Sequence, residues 1–319
     1  SWKDCSGTVS WPASPVAMSL PPLLLLAIAG LAAAVLPWGP GSHLEFALRF
    51  YRGRRRRLPP ALSRLLREER AAFLYGNIAA DIINFKGYGG HYNHCHRWTI
   101  IPAMREAVST PAEEAFVHGY LCHLAADTIA HNHFVPYHLT RYAHSKGLGH
   151  LYWEMRADRF VSESRWELIS ALKGDRRLDT LDELVNRAVP RKFLSMRANK
   201  LLFNHVLLIS ERDQWRRGVD RLHGRSNVPL AEDFLEIFRR AAVARMHLAM
   251  QPEGLEKLAH IDTNGKKAQG RAWRKRRRIL RRFTGATGRR RESEEAAALF
   301  LEGMETPPIV PAGGAAPHW

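Results

Sequence analysis

Cysteine is scarce. The 319 residues hold only Cys5, Cys95 and Cys122, too few and odd in number for a disulfide framework to stand in for a hydrophobic core. Alternating apolar and polar runs are missing, as are Asn-Gly hairpin signals between them, which argues against a sandwich or barrel. No internal repeat is present, so a solenoid is excluded as well. Acid is absent from residues 266–291, where thirteen Lys and Arg gather, and from YRGRRRR at 51–57, which adds five Arg. These two segments account for the formal net charge of +17, and the rest of the chain is nearly neutral.

What remains is helical in period almost throughout. Hydrophobic residues make up 45% and charged residues 25%, the composition of a globular chain with enough length to bury a sizeable core. The periodicity predicts helices over 42–51, 60–84, 102–107, 112–131, 148–172, 179–187, 192–222 and 230–250. Breakers such as Pro59-Pro60, Gly87–Gly90, Pro111, Pro136, Gly174, Pro190 and Gly224 separate them. The expected architecture is all-α: a multi-helix single domain over 38–254, preceded by 1–37 and followed by a basic, largely disordered or amphipathic tail over 255–319. Within 1–37, MSLPPLLLLAIAGLAAAVL at 18–36 is an apolar run with Ala32 and Ala34 in an A-x-A pattern. It reads as a signal-like or anchor segment, although the usual positive n-region is missing. The expected location is therefore exported or membrane-associated, with cytoplasmic as the alternative.

The chemistry concentrates in GYLCHLAADTIAHNHF at 119–134, an apolar helical segment carrying His123, Asp127, His131 and His133. Each such group is costly to desolvate, about 1–3 kcal/mol for a neutral polar group left unpaired and more for a charge. Ten of the sixteen histidines lie between 91 and 150. The i, i+4, i+8 spacing sets His123, Asp127 and His131 on one face, with the outer imidazoles about 12 Å apart along the axis, too far for one shared ion. A cluster of ions, with Asp127 between them, satisfies all three. His150 and Glu154 in HLYWE repeat the i, i+4 step. Asp81 stands alone among apolar neighbours in FLYGNIAADII, HYNHCHRW supplies His91, His94 and His96 from a loop, and His43 lies in WGPGSHLEF. Nitrogen and oxygen donors in this mix suit zinc better than calcium or magnesium. Spacing leaves His131 open against His133, and His94 open against His91 or His96. Cys95 and Cys122 read as small buried residues rather than thiolate ligands.

The motifs SHL at 42–44, GNIAADI at 76–82, NHCHRW at 93–98, HLAADTIAH at 123–131 and HLYWE at 150–154 resemble, in order, those of the zinc-dependent phospholipase C and S1/P1-type nuclease superfamily. The resemblance implies an all-helical fold holding two to three zinc ions (Zn2+). It places His43 near an N-terminal zinc, Asp81, His94, His123 and Asp127 around the middle, and His131, His150 and Glu154 on the remaining ion. Asp81 would orient or deprotonate the attacking water. In secreted relatives the mature chain begins with a zinc-binding Trp, a place Trp38 would take only after cleavage behind Pro37. In those relatives the histidine after the paired Asp lies six residues on, which matches His133; an uninterrupted helix from 119 favours His131 instead.

Clustered zinc makes bound water more acidic and neutralises phosphoryl charge, so a phosphodiester is the expected substrate. The first expectation is a phospholipase C-like hydrolase acting on phospholipid. A single-strand nuclease and a zinc-binding protein without catalysis are the alternatives. RAWRKRRRILRRF at 271–283 interleaves Trp273, Ile279, Leu280 and Phe283 with basic residues. As an amphipathic helix it would adsorb on an anionic membrane, while its charge alone would also hold nucleic acid without specificity.

Overall fold

The computed structural model describes residues 39–82, 95–143, 153, 156–188, 196 and 230–304. Twelve α-helices and no strand occur among the described residues, so the fold is all-α. In chain order they are α1 (Pro40–Arg57), α2 (Pro60–Glu68), α3 (Arg70–Ile82), α4 (Ile100–Glu106), α5 (Pro111–Ile129), α6 (Val135–Tyr142), α7 (Glu163–Gly174), α8 (Asp179–Ala188), α9 (Glu232–Ala249), α10 (Gly254–Leu258), α11 (Lys266–Arg282) and α12 (Ala286–Ala298). Among the described residues no helix is long and apolar enough to cross a membrane. The apolar run 18–36 and nearly all of the predicted helix 192–222 lie outside them.

α5 is the central rod. Its start follows from sequence: Thr110 caps the helix by accepting from the Glu113 amide, Pro111 occupies the first turn, and the Glu113 carboxylate closes a capping box on the Thr110 amide at 3.1 Å. From Ala115 to Ile129 every residue but His118 is buried, so α5 has apolar contact on all sides. It packs chiefly against α3 and α9.

The α3–α5 crossing is unusually close because Gly76 and Gly119 meet there. A Cβ on Gly76 would overlap the Phe116 carbonyl and lie 3.0 Å from the Tyr120 amide. One on Gly119 would overlap the Phe73 carbonyl and lie 3.0 Å from the Gly76 Cα. With no side chain on either, the backbones touch directly.

Three expectations need correction. The predicted helix 60–84 is two helices, broken at Glu69, whose φ −104 and ψ 40 leave the helical region. The helix from 111 does not run uninterrupted through His131: Ala130–Phe134 form a π-turn, and α6 continues beyond it with Pro136 in its first turn, where the missing N–H costs least. Nor is 255–304 largely disordered. α11 packs on α6, the π-turn and α12, and α12 also packs on α6. The Lys and Arg of α11 conceal an inner stripe of Ala268, Ala272, Arg276 and Ile279, in which the Arg276 guanidinium donates to the Ala143 carbonyl at 3.1 Å and to Ser293 Oγ at 2.8 Å.

Candidate metal centre

α1, α3, α5, the π-turn and the 95–99 turn each bring one or two polar side chains to a shared interior point. Asp81, His123 and Asp127 are 0% exposed, His43 and His96 1%, and His131 3%. The α3–α5 crossing does most of the positioning, since Asp81 follows Gly76 by five residues and His123 and Asp127 follow Gly119 by four and eight. His123 is fixed further by its own ring. Its Nδ1 lies 2.8 Å from the Asn77 carbonyl, which can only accept, so Nδ1 carries a proton and Nε2 is the nitrogen turned to the centre as a ligand for a metal ion.

Around that point the donor atoms form two overlapping groups. In the first, His96 Nε2 lies 3.0 Å from His123 Nε2 and 3.4 Å from both Asp81 Oδ1 and Asp127 Oδ2. His123 Nε2 lies 3.3 Å from Asp127 Oδ2 and 3.9 Å from Asp81 Oδ1. A tetrahedral zinc with ligands at about 2.0–2.1 Å has edges of about 3.3–3.4 Å. The donors therefore stand close to where a zinc ion needs them. In the second group, His43 Nε2 is 3.2 Å from Asp127 Oδ1 and 3.8 Å from Asp81 Oδ2, and His131 Nε2 is 3.8 Å from Asp127 Oδ1. Each carboxylate thus turns one oxygen to each group. The combinations His43–Asp81–His123 and His96–His123–Asp127 each bring three donor atoms within 4.8 Å of one another.

The electrostatics agree with a cation site. Burial alone would raise the Asp127 carboxyl, yet His123, His43 and His131 outweigh it and hold the group well below the usual range, as carboxylate. Burial and the neighbouring His123 push His43 down, against the pull of Asp127 and Asp81, so it is a neutral imidazole. Both Asp127 oxygens and both His43 nitrogens are buried without a well-formed hydrogen bond among the described residues. Polar atoms in that state call for another partner, and a divalent ion is the one that carboxylates and neutral imidazoles share.

His43, Asp81, His123, Asp127 and His131 converge. His94, His91, His150 and Glu154 lie outside the described residues. From the HYNHCHRW loop, His96 reaches the centre. His133 turns away, its Nδ1 2.8 Å from the Phe300 carbonyl. Cys122 is buried and burial pushes its thiol upward, which disfavours thiolate, while Cys95 Sγ sits 3.2 Å from His96 Nδ1, on the side of the ring away from the donors.

Sequence reasoning missed two supports. Asp158 accepts from the Ser42 amide at 3.1 Å and from Ser42 Oγ, securing the first turn of α1 that carries His43; burial raises its carboxyl to about 7. Its spacing, i+4 from Glu154, is the one signal that pointed to it. The turn 261–265 is the other. Thr263 Oγ1 and Asn264 Nδ2 both donate to the His96 carbonyl, Trp98 Nε1 donates to the Ile261 carbonyl at 2.8 Å, and Asn132 Nδ2 donates to the Asp262 carbonyl at 2.7 Å. The short polar residues of IDTNG carry no pattern that announces this role.

No curated protein and no solved structure matches the chain. A family model, zinc dependent phospholipase C, matches residues 42–206, half of the chain, and spans every converging donor from His43 to His131. With that match laid over a donor set of zinc-like geometry, the chain belongs to the zinc-dependent phospholipase C family.

Proposed function

We propose that this protein is a zinc-dependent phosphodiester hydrolase acting on phospholipids in the manner of a phospholipase C. The observation that carries the reading is the convergence of His96, His123, Asp81 and Asp127 from three separate chain segments, with donor atoms 3.0–3.9 Å apart, in a member of a zinc-dependent phospholipase family. His96, His123, Asp81 and Asp127 would hold one ion; His43, with the second oxygens of Asp81 and Asp127, would hold another, and His131 would approach from the Asp127 side. Bound zinc supplies an acidified water and positive charge against the phosphoryl oxygens. Asp81, wholly buried and facing both groups, would orient the attacking water. His123, fixed by the Asn77 carbonyl, and His43, held neutral by burial, keep their lone pairs on the metal side.

The test uses zinc-loaded protein on phosphatidylcholine vesicles, single-stranded DNA and an aryl phosphodiester, with and without chelator. Diacylglycerol release that stops on chelation is the expected result. Nucleotide release without lipid turnover would replace the reading with a nuclease, and zinc binding without turnover of any of the three would leave a binding protein.

A further inference from the structure

α11 spans 17 residues, about 25 Å. Its apolar side is already used: Ala268, Ala272 and Ile279 are buried, and Trp273 packs against the core. This removes the insertion of greasy side chains that the amphipathic sequence suggests. Leu280 and Phe283 are half-buried, and every fully exposed residue of the helix is Lys or Arg. Arg271, Arg274, Arg277, Arg278, Arg281 and Arg282 are exposed and fall on one arc of about 140°. No acid occurs in the helix, and among the described residues none of these six makes an ion pair. The carboxylates on neighbouring α12 are engaged elsewhere, Glu294 with Arg141 and Glu292 and Glu295 with Arg291. Six like charges along one face, with no counter-charge supplied by the fold, ask for an external polyanion.

The position of the helix narrows the partner. α11 begins at Lys266, directly after the turn that grips the His96 carbonyl and abuts His131, so the near end of its charged face lies beside the wall of the metal centre. The outward arc presents no aromatic ring on which a nucleic-acid base could stack. A lipid surface needs none, because surface potential attracts basic residues without shape-matching.

We propose that the outer face of α11 docks the protein electrostatically on an anionic phospholipid surface and holds the metal centre at that interface. The choice of lipid rests on the phospholipase reading above. Vesicle co-sedimentation tests it with the full chain under chelator, so that turnover does not consume the surface. Phosphatidylcholine vesicles are compared with phosphatidylcholine mixed with phosphatidylserine, at low and high salt. Wild type should bind the mixed vesicles and release them as salt rises. Arg274→Gln/Arg277→Gln/Arg278→Gln/Arg281→Gln should weaken binding by at least about a hundredfold, at roughly fivefold per charge. Arg52→Gln/Arg55→Gln/Arg56→Gln/Arg57→Gln, which removes equal charge from α1, should bind like wild type.

Equal loss in both variants would overturn the proposal, since net charge and not α11 would then decide. So would unchanged vesicle binding in the α11 variant, or loss confined to single-stranded DNA. Hydrolysis of monomeric short-chain phosphatidylcholine separates the two readings. It should be the same in wild type and the α11 variant, and its absence from wild type sinks the phospholipase assignment while the sedimentation result still decides the dock.

Discussion

Replacing Gly265 by alanine should disturb both stability and zinc. Gly265 has φ +58, a left-handed conformation that costs an L-residue about 1 kcal/mol. A methyl group there would also overlap the His131 carbonyl and stand 2.7 Å from His131 Cβ, closer than the 3.0 Å that real Cβ atoms keep. The π-turn backbone would have to retreat on the order of 1 Å, and overpacking of this kind costs about 1–3 kcal/mol. Together the terms give about 2–4 kcal/mol, a fall in melting temperature of roughly 3–6 °C for a chain of this size. The displaced segment carries His131, and zinc sites tolerate ligand shifts of only about 0.2 Å, so Gly265→Ala should also surrender zinc at a lower chelator concentration. Gly174→Ala is the control, because nothing lies within 4 Å of the added methyl. Thermal melts and chelator titration on the two variants decide the matter. A Gly265→Ala protein that melts and holds zinc like Gly174→Ala would refute the close approach of the 261–265 turn to His131.

Asp127→Asn, which weakens both donor groups at once, should lower zinc content and cut turnover by more than about a hundredfold; full zinc occupancy by elemental analysis would reject the ligand assignment. His131→Gln should weaken zinc binding while His133→Gln leaves it intact, since His133 is turned to the Phe300 carbonyl; equal zinc loss in both would contradict the π-turn geometry. Stability should fall with acid through His138, whose buried ring is held neutral with its pKa lowered from 6.5 to about 3, chiefly by desolvation. The unfolded chain takes up the proton first, so this contribution is complete above pH 6.5 and declines as pH falls towards 3, by about 2 kcal/mol on reaching pH 5. Urea unfolding at pH 7 and 5 should show a correspondingly shallower pH dependence for His138→Phe, and an identical one would remove His138 as the cause.

Helix content and the heart of the site were legible because their signals are local. The i, i+4 pair His123–Asp127 and the isolated carboxylate of Asp81 are costly in apolar helices unless a cation joins them, and the structure brings them together with His43, with His131 beside Asp127. What escaped depends on contacts distant in sequence. The approach of His96 to the centre depends on the Thr263 and Asn264 bonds to its carbonyl, 167 and 168 residues away. The ordered helices beyond 254 were hidden because dense arginine looks like a solvated tail, whereas Arg276 is an interior residue hydrogen-bonded on two sides. The π-turn was invisible since its sequence, AHNHF, has no breaker of its own and Pro136 lies just past it.

The glycine seam between α3 and α5 has a consequence for how this protein can vary. With main chains in contact at Gly76 and Gly119, the spacing of Asp81 from His123 and Asp127 is governed by two rigid rods pressed together rather than by side-chain packing that could swell or shrink. A single methyl in the seam would have to prise the rods apart, moving Asp81 away from His123 and Asp127 and costing stability at the same time.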